Sequence, residues 1–317
     1  MLTILDPTSL LGREIMARLA RVSPGVRPRL LHTAADPEHL IAEVAGEPAL
    51  VAPLTDLDEL EGSAIVILTT PPAVAAAGER LLAWLRAHPR VAFVDCTQPG
   101  IAGGAARCVV DVVPPVRPSP PWYHLADPAL AAPARLLAAL APIAPETARL
   151  TVLCPAAGFG AEGLEELAAQ GAARLSGHPE RKAVHLPGVL AFDLVPAPDE
   201  RSRYLEAQLA EVFPRLETSA TVIDAGVFHG HLATVTATCA EEPGLERVRA
   251  LIRSTPGMRL PRRNETTSVA GAVERGGIVC GGLHVRGRTV SAWLCADGLR
   301  VGGAEAVADL VTSITAS

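Results

Sequence analysis

With 317 residues the chain can bury one large core or two of ordinary size, and although 49% of it is hydrophobic, no uninterrupted apolar run reaches the ~18 residues that cross a bilayer. The net charge is −6, Lys182 is the sole lysine among 28 basic residues, and no basic cluster is present, which excludes a phosphate-neutralising nucleic-acid surface. The opening Met1-Leu2-Thr3-Ile4-Leu5-Asp6 reads as a strand without the charged n-region of a secretory leader, so the expected location is the cytoplasm.

In chain order, the first third alternates short apolar strands with helical patterns. Strands are predicted at residues 2–5, 29–32, 65–68 and 91–95, and helices at about 9–21 and 74–87. Such alternation implies a parallel sheet with helices on both faces, a Rossmann-like arrangement. A further strand is predicted at 107–113. The stretch 113–121 contains five prolines, each without an amide proton, and is the expected internal boundary.

Beyond it, a helix at 129–140 precedes a strand at 148–153 and a helix beginning near Glu162. Longer alternating strands at 221–228, 231–239, 277–285 and 289–295 suit a mixed or antiparallel sheet with one covered face. A helix follows Gly302-Gly303 over residues 304–314. The expected division is a Rossmann-like domain at 1–125, completed by the C-terminal helix 302–317, and an α+β domain at 126–301. Cys96, Cys108, Cys154, Cys239, Cys280 and Cys295 have no C-x-x-C spacing, so neither a zinc knuckle nor a dense disulfide framework is expected.

Two phrases carry more than composition. Ala157-Gly158-Phe159-Gly160-Ala161-Glu162-Gly163-Leu164-Glu165-Glu166-Leu167 is a small-residue, Gly-rich turn opening a helix, and Ala126-Asp127-Pro128-Ala129-Leu130 precedes another. With Ala191-Phe192-Asp193-Leu194-Val195-Pro196, the run Ile223-Asp224-Ala225-Gly226-Val227-Phe228-His229-Gly230-His231, and Ala296-Asp297-Gly298-Leu299-Arg300, they make the chain resemble aspartate-semialdehyde dehydrogenase over nearly its whole length. In particular it resembles the Usg-like paralogues, which keep the fold without the catalytic cysteine. The resemblance implies a dinucleotide-fold domain, a dimerisation domain and an NADP-dependent chemistry in the active members.

Residue by residue, the resemblance puts Leu130 where the family's N-P-N-C phrase has its nucleophile, and His231 on the catalytic base. The family's G-A-T-G-x-V-G turn reads Asp6-Pro7-Thr8-Ser9-Leu10-Leu11-Gly12, so only Thr8 and Gly12 persist, and Thr33 stands alone at the 2′-phosphate site beside Asp36. Thr69-Thr70-Pro71-Pro72 replaces further glycines. Ile101, Leu209 and Asp224 fall on the anion-clamping Arg, Lys and Arg, while Glu206 persists. No cofactor is therefore expected to bind, because Asp6 repels phosphate and Pro7 removes a donor.

Cys154 falls near the position of a family glutamine. It admits two readings, a buried core thiol or a relocated nucleophile activated by His231. The expected function is that of a non-catalytic homologue with a binding or partner role, forming a homodimer or a heteromer with an active relative. The alternative is an active aldehyde or acyl-type oxidoreductase, or a thiol enzyme, using Cys154 and His231.

Overall fold

A computed structural model describes residues 1–34, 40–44, 46–72, 75–110, 118–178 and 182–315. These fall into two compact units, Met1–Ala126 with Gly303–Ser317, and Asp127–Gly302.

The strands of the first unit are β1 (Leu2–Leu5), β2 (Arg29–His32), a hairpin of β3 (Leu40–Val44) and β4 (Glu47–Pro53), β5 (Ile65–Leu68), β6 (Ala92–Asp95), β7 (Arg107–Val109) and β8 (Trp122–Leu125), of which β1, β5, β6 and β8 are buried throughout. Their order is β3-β4-β2-β1-β5-β6-β8-β7, parallel throughout except for the β3–β4 pair. Helices α1 (Leu10–Val22) and α2 (Ala75–Ala87) connect strands, and a terminal helix, Ala306–Thr315, packs against α1. Ser9 caps α1 by accepting from the Gly12 amide.

Two expectations change here. The β3–β4 hairpin was not foreseen, because its half-exposed edge strands lack both a clean alternation and an apolar run. The proline-rich stretch is not the boundary: β8 follows it and inserts between β6 and β7, so the chain returns to the first sheet. Val74, Asp36 and residues 111–117, which hold part of the predicted strand and of the proline stretch, lie outside the described residues.

The second unit comprises α3 (Ala131–Ala139), β9 (Pro145–Cys154), α4 (Gly160–Leu175), β10 (Leu194–Pro196), α5 (Asp199–Val212), β11 (Glu217–Ala225) and β12 (His231–Cys239). It continues with α6 (Leu245–Ser254), β13 (Met258–Arg259), α7 (Val269–Arg275), β14 (Ile278–Arg286) and β15 (Thr289–Ala296). The sheet order β10-β11-β9-β12-β15-β14-β13 mixes parallel and antiparallel pairs, as the alternating strands implied.

The period of two is plain on β9, where Ala148, Leu150, Val152 and Cys154 are buried, and on β12, where His231, Ala233, Val235, Ala237 and Cys239 are. These residues face a core closed by α3, α5 and α6. The opposite face shows Arg149, Ser219, Thr221, Thr234 and Thr236 exposed. Among the described residues no helix is long and apolar enough to cross a membrane.

Candidate functional site

Strand register assembles the candidate residues of the second unit. Asp224 on β11 pairs with Cys154 on β9, and His231 lies one step beyond the Leu232–Leu153 pair, so Asp224, Cys154 and His231 sit side by side on the buried face of three neighbouring strands. The expected proximity of Cys154 and His231 is thus a consequence of pairing, not of sequence spacing. Onto this row pack the turn Asp127-Pro128-Ala129-Leu130 and the first turns of α5.

Helix α5 brings in a residue that the motif reading missed. Arg201 donates from Nη1 to Asp224 Oδ1 at 2.6 Å, its guanidinium lies 5.7 Å from the Phe159 ring centre, and its side chain is 24% exposed against 2% for Asp224. The signal was present: Arg201, Leu205 and Gln208 follow one helical stripe, and the latter two are buried. Asp224, where the resemblance expects an arginine, is thus paired with a cation from a different element.

Burial decides the chemistry of the row. Cys154 is 1% exposed, and its thiol is pushed up to about 12 by desolvation, which the neighbouring Arg201 only partly offsets. It is a neutral thiol at physiological pH. His231 is also buried, and desolvation lowers it to about 4 against the pull of the Asp127 carboxylate, so its imidazole is neutral. Among the described residues its Nδ1 has no hydrogen-bond partner. Burial raises Asp224 as well, against the lowering effect of Arg201.

Leu130 is not at a surface where a nucleophile could meet substrate. It is 1% exposed and belongs to the apolar core with Leu136, Val152 and Leu209. Asp127 accepts from the Ala129 amide, which closes the turn before α3, and its own amide donates to Gln208 Oε1. Leu209, where the resemblance expects a lysine, is core. Glu206 accepts from the Ala220 amide, a bond that ties α5 to β11.

In the first unit Asp6 and Thr33 meet directly. The Thr33 amide donates to Asp6 Oδ1 and the Thr33 hydroxyl to Asp6 Oδ2, both at 2.8 Å. Burial raises the Asp6 carboxyl, and these two bonds oppose the shift. Thr8 gives its carbonyl to Arg13 Nε. Gly12 is explained by packing: a Cβ there would lie 2.7 Å from the Pro7 carbonyl and 2.8 Å from that of Asp6. Asp95 accepts from the amide and hydroxyl of Thr97 and from the Ala102 amide, so its loop is folded on itself. A cleft of about 820 Å³ lined by Arg27, Arg29, Leu50 and Glu59 holds none of these groups. Among the described residues no His, Cys, Asp and Glu cluster could hold a metal ion.

A parallel α/β unit with a second unit on a mixed sheet is the architecture of a class of two-domain dehydrogenases, and solved structures name the fold more closely. The aspartate semialdehyde dehydrogenase II of Vibrio cholerae, complexed with ASA, matches 99% of this chain and 97% of its own at 20% identity and a TM-score of 0.86. A probable aspartate-semialdehyde dehydrogenase from Pseudomonas aeruginosa matches 100% and 98% at 22% identity and 0.86. The Candida albicans aspartate semialdehyde dehydrogenase with NADP matches 99% and 97% at 11% identity and 0.72. The chain therefore has the aspartate-semialdehyde dehydrogenase fold. No protein-family model and no curated protein matches the sequence.

Proposed function

We propose that this chain is a cytoplasmic, non-catalytic homologue of aspartate-semialdehyde dehydrogenase, of the Usg-like kind, acting by binding a ligand or partner. One observation carries the reading: the position that the resemblance assigns to the nucleophile is Leu130, sealed in the core at 1% exposure. Cys154, the thiol in the same row, is equally buried and protonated. A base beside a protonated, inaccessible thiol has nothing to activate. NADP is not expected to bind, since the amides and hydroxyls at the nucleotide turn are engaged within the protein.

The partner we propose is a second copy or an active relative, met through the second unit. Its open sheet face exposes Thr221, Thr234 and Thr236 beside the charged Arg149 and Glu217, and the β-branched threonine side chains are suited to a second covering layer.

The test assays wild type, Leu130→Cys and Cys154→Ala side by side with NADP, phosphate and aspartate semialdehyde. Silence in all three is expected, since a restored nucleophile leaves the cofactor and substrate sites unrepaired. Wild-type turnover that vanishes in Cys154→Ala would instead establish a thiol enzyme.

A further inference from the structure

The strand order of the first sheet reverses between β1 and β5, and in open α/β sheets the crevice outside the carboxyl ends of the strands at such a point is where ligands bind. Here that crevice is lined by the residues that follow β1, β2 and β5, namely Asp6, Thr33 and Thr69. Its hydrogen-bonding capacity is turned inward. The Thr69 hydroxyl is 2.6 Å from the Asp6 carbonyl and 2.8 Å from Ser9 Oγ, and Ser9 Oγ in turn accepts from the Gly12 amide, the donor a phosphate would use at the start of α1.

The bond between Asp6 and Thr33 goes further than closure. One backbone amide and one hydroxyl of the same residue each address a different oxygen of one carboxylate, a two-point grip on an anion. The carboxylate is held there at a backbone cost. Asp6 has φ of 58°, in the left-handed region that side-chain-bearing residues avoid, and such a conformation persists only where surrounding bonds over-determine it. Those bonds include the Asp6 amide to the Leu31 carbonyl at 2.8 Å and the Ser9 amide to the Asp6 carbonyl at 3.2 Å.

We infer that Asp6 is an internal occupant of an anion site formed by the Thr33 amide and hydroxyl, a self-inhibiting contact that holds the crevice in a liganded-like state without a ligand. The anion it displaces is a phosphomonoester. The site follows β2, where dinucleotide folds read the 2′ position of the adenosine ribose, so the class that fits is a nucleotide phosphorylated at that position. The inference rests on the non-catalytic reading for its claim that the native chain leaves the site closed.

The experiment removes the occupant and keeps the fold. Asp6→Gly deletes the carboxylate and relieves the positive φ, and Asp6→Ser leaves a side chain too short to span to both Thr33 donors. Calorimetric titration of wild type and both variants uses NADP, NAD and inorganic phosphate as probes. Wild type is expected to stay flat, and both variants to gain NADP affinity by at least about tenfold, with NAD, which lacks the 2′-phosphate, gaining less. Inorganic phosphate should compete with NADP in the variants.

Folded variants that gain nothing would overturn the inference and leave the non-catalytic reading intact. If neither variant folds, Asp6 is a structural requirement and not a displaceable occupant, and the inference falls. Equal NADP binding by wild type and variants would likewise sink it, whereas wild-type turnover of aspartate semialdehyde would sink the underlying reading itself.

Discussion

Replacing Arg201 with methionine should destabilise the second unit by about 3 kcal/mol, the lower end of the cost of breaking a buried ion pair by removing one partner. The lower end applies because Arg201 keeps a side-chain exposure of 24%, while Asp224, at 2%, would be left buried and unpaired. Loss of the cation over Phe159 adds roughly 0.5–1 kcal/mol. Urea unfolding measures the loss, and hydrogen exchange localises it to β9 and β11, which matters because a two-unit chain need not unfold in one step. The double variant Arg201→Met with Asp224→Asn should recover much of the loss, with a coupling of at least about 1.5 kcal/mol. The pH dependence has a definite sign. Asp224 is already raised by burial and rises further without Arg201, so its protonated form stabilises the fold below the unfolded value and that stability is lost as pH climbs through the folded one. The defect of Arg201→Met is therefore smallest in acid and grows toward neutrality. A single-variant loss under about 1 kcal/mol with no coupling would show that the pair is screened by solvent and that the buried-cluster argument is wrong.

Other consequences follow from burial and packing. His231 titrates near 4 when folded and near 6.5 when unfolded, so its contribution is present above 6.5 and lost as pH falls toward 4, by about 3 kcal/mol at most; its imidazole resonances should not move above about pH 5, and His231→Leu should flatten this limb. Cys154 should resist maleimide in the native state at neutral pH, and rapid labelling there would contradict a thiol held at about 12. Gly12→Ala should cost about 1–3 kcal/mol, since its Cβ meets two carbonyl oxygens of the preceding turn, and an unchanged melting temperature would refute that contact. Sedimentation should find a dimer, and a monomer mass independent of concentration would count against the open sheet face as an interface.

The parts of the fold legible in the sequence are those where burial leaves a pattern. The four strands β1, β2, β5 and β6 are short, largely buried segments centred on apolar residues, and β9 and β12 alternate between buried and more exposed positions, because one of their faces packs on the main core. The β3–β4 hairpin escaped because an edge hairpin with Ile41 and Leu50 exposed and Pro48 in the strand resembles no template. In the site, the resemblance singled out Asp224, while its partner Arg201 was legible only as a member of the stripe it forms with Leu205 and Gln208, and nothing local linked it to a residue 23 positions later. The adjacency of Cys154 to His231 follows only from the register of β9 and β12, which no local spacing encodes.

Persistence of a motif residue says little about persistence of its chemistry. Gly12 remains where a phosphate-binding turn would place a glycine, yet the carbonyls of Asp6 and Pro7 alone would exclude a Cβ there, so packing suffices to retain it. His231 stands where the resemblance expects the base, and its ring lies against Gly298, where a Cβ would come within 2.6 Å of both Nδ1 and Cε1. Packing alone thus accounts for Gly12, and the close contact with Gly298 holds the imidazole of His231 whether or not it acts as a base. What separates a working site from an inherited frame is whether its donors and acceptors still face a ligand. In the first unit the Thr33 and Gly12 donors are spent on Asp6 and Ser9, and in the second the Asp224 carboxylate is spent on Arg201. On the non-catalytic reading we propose, chemistry leaves such a fold by internal satisfaction of its polar groups, a route that lowers the cost of burying them while the strands around them stay in place.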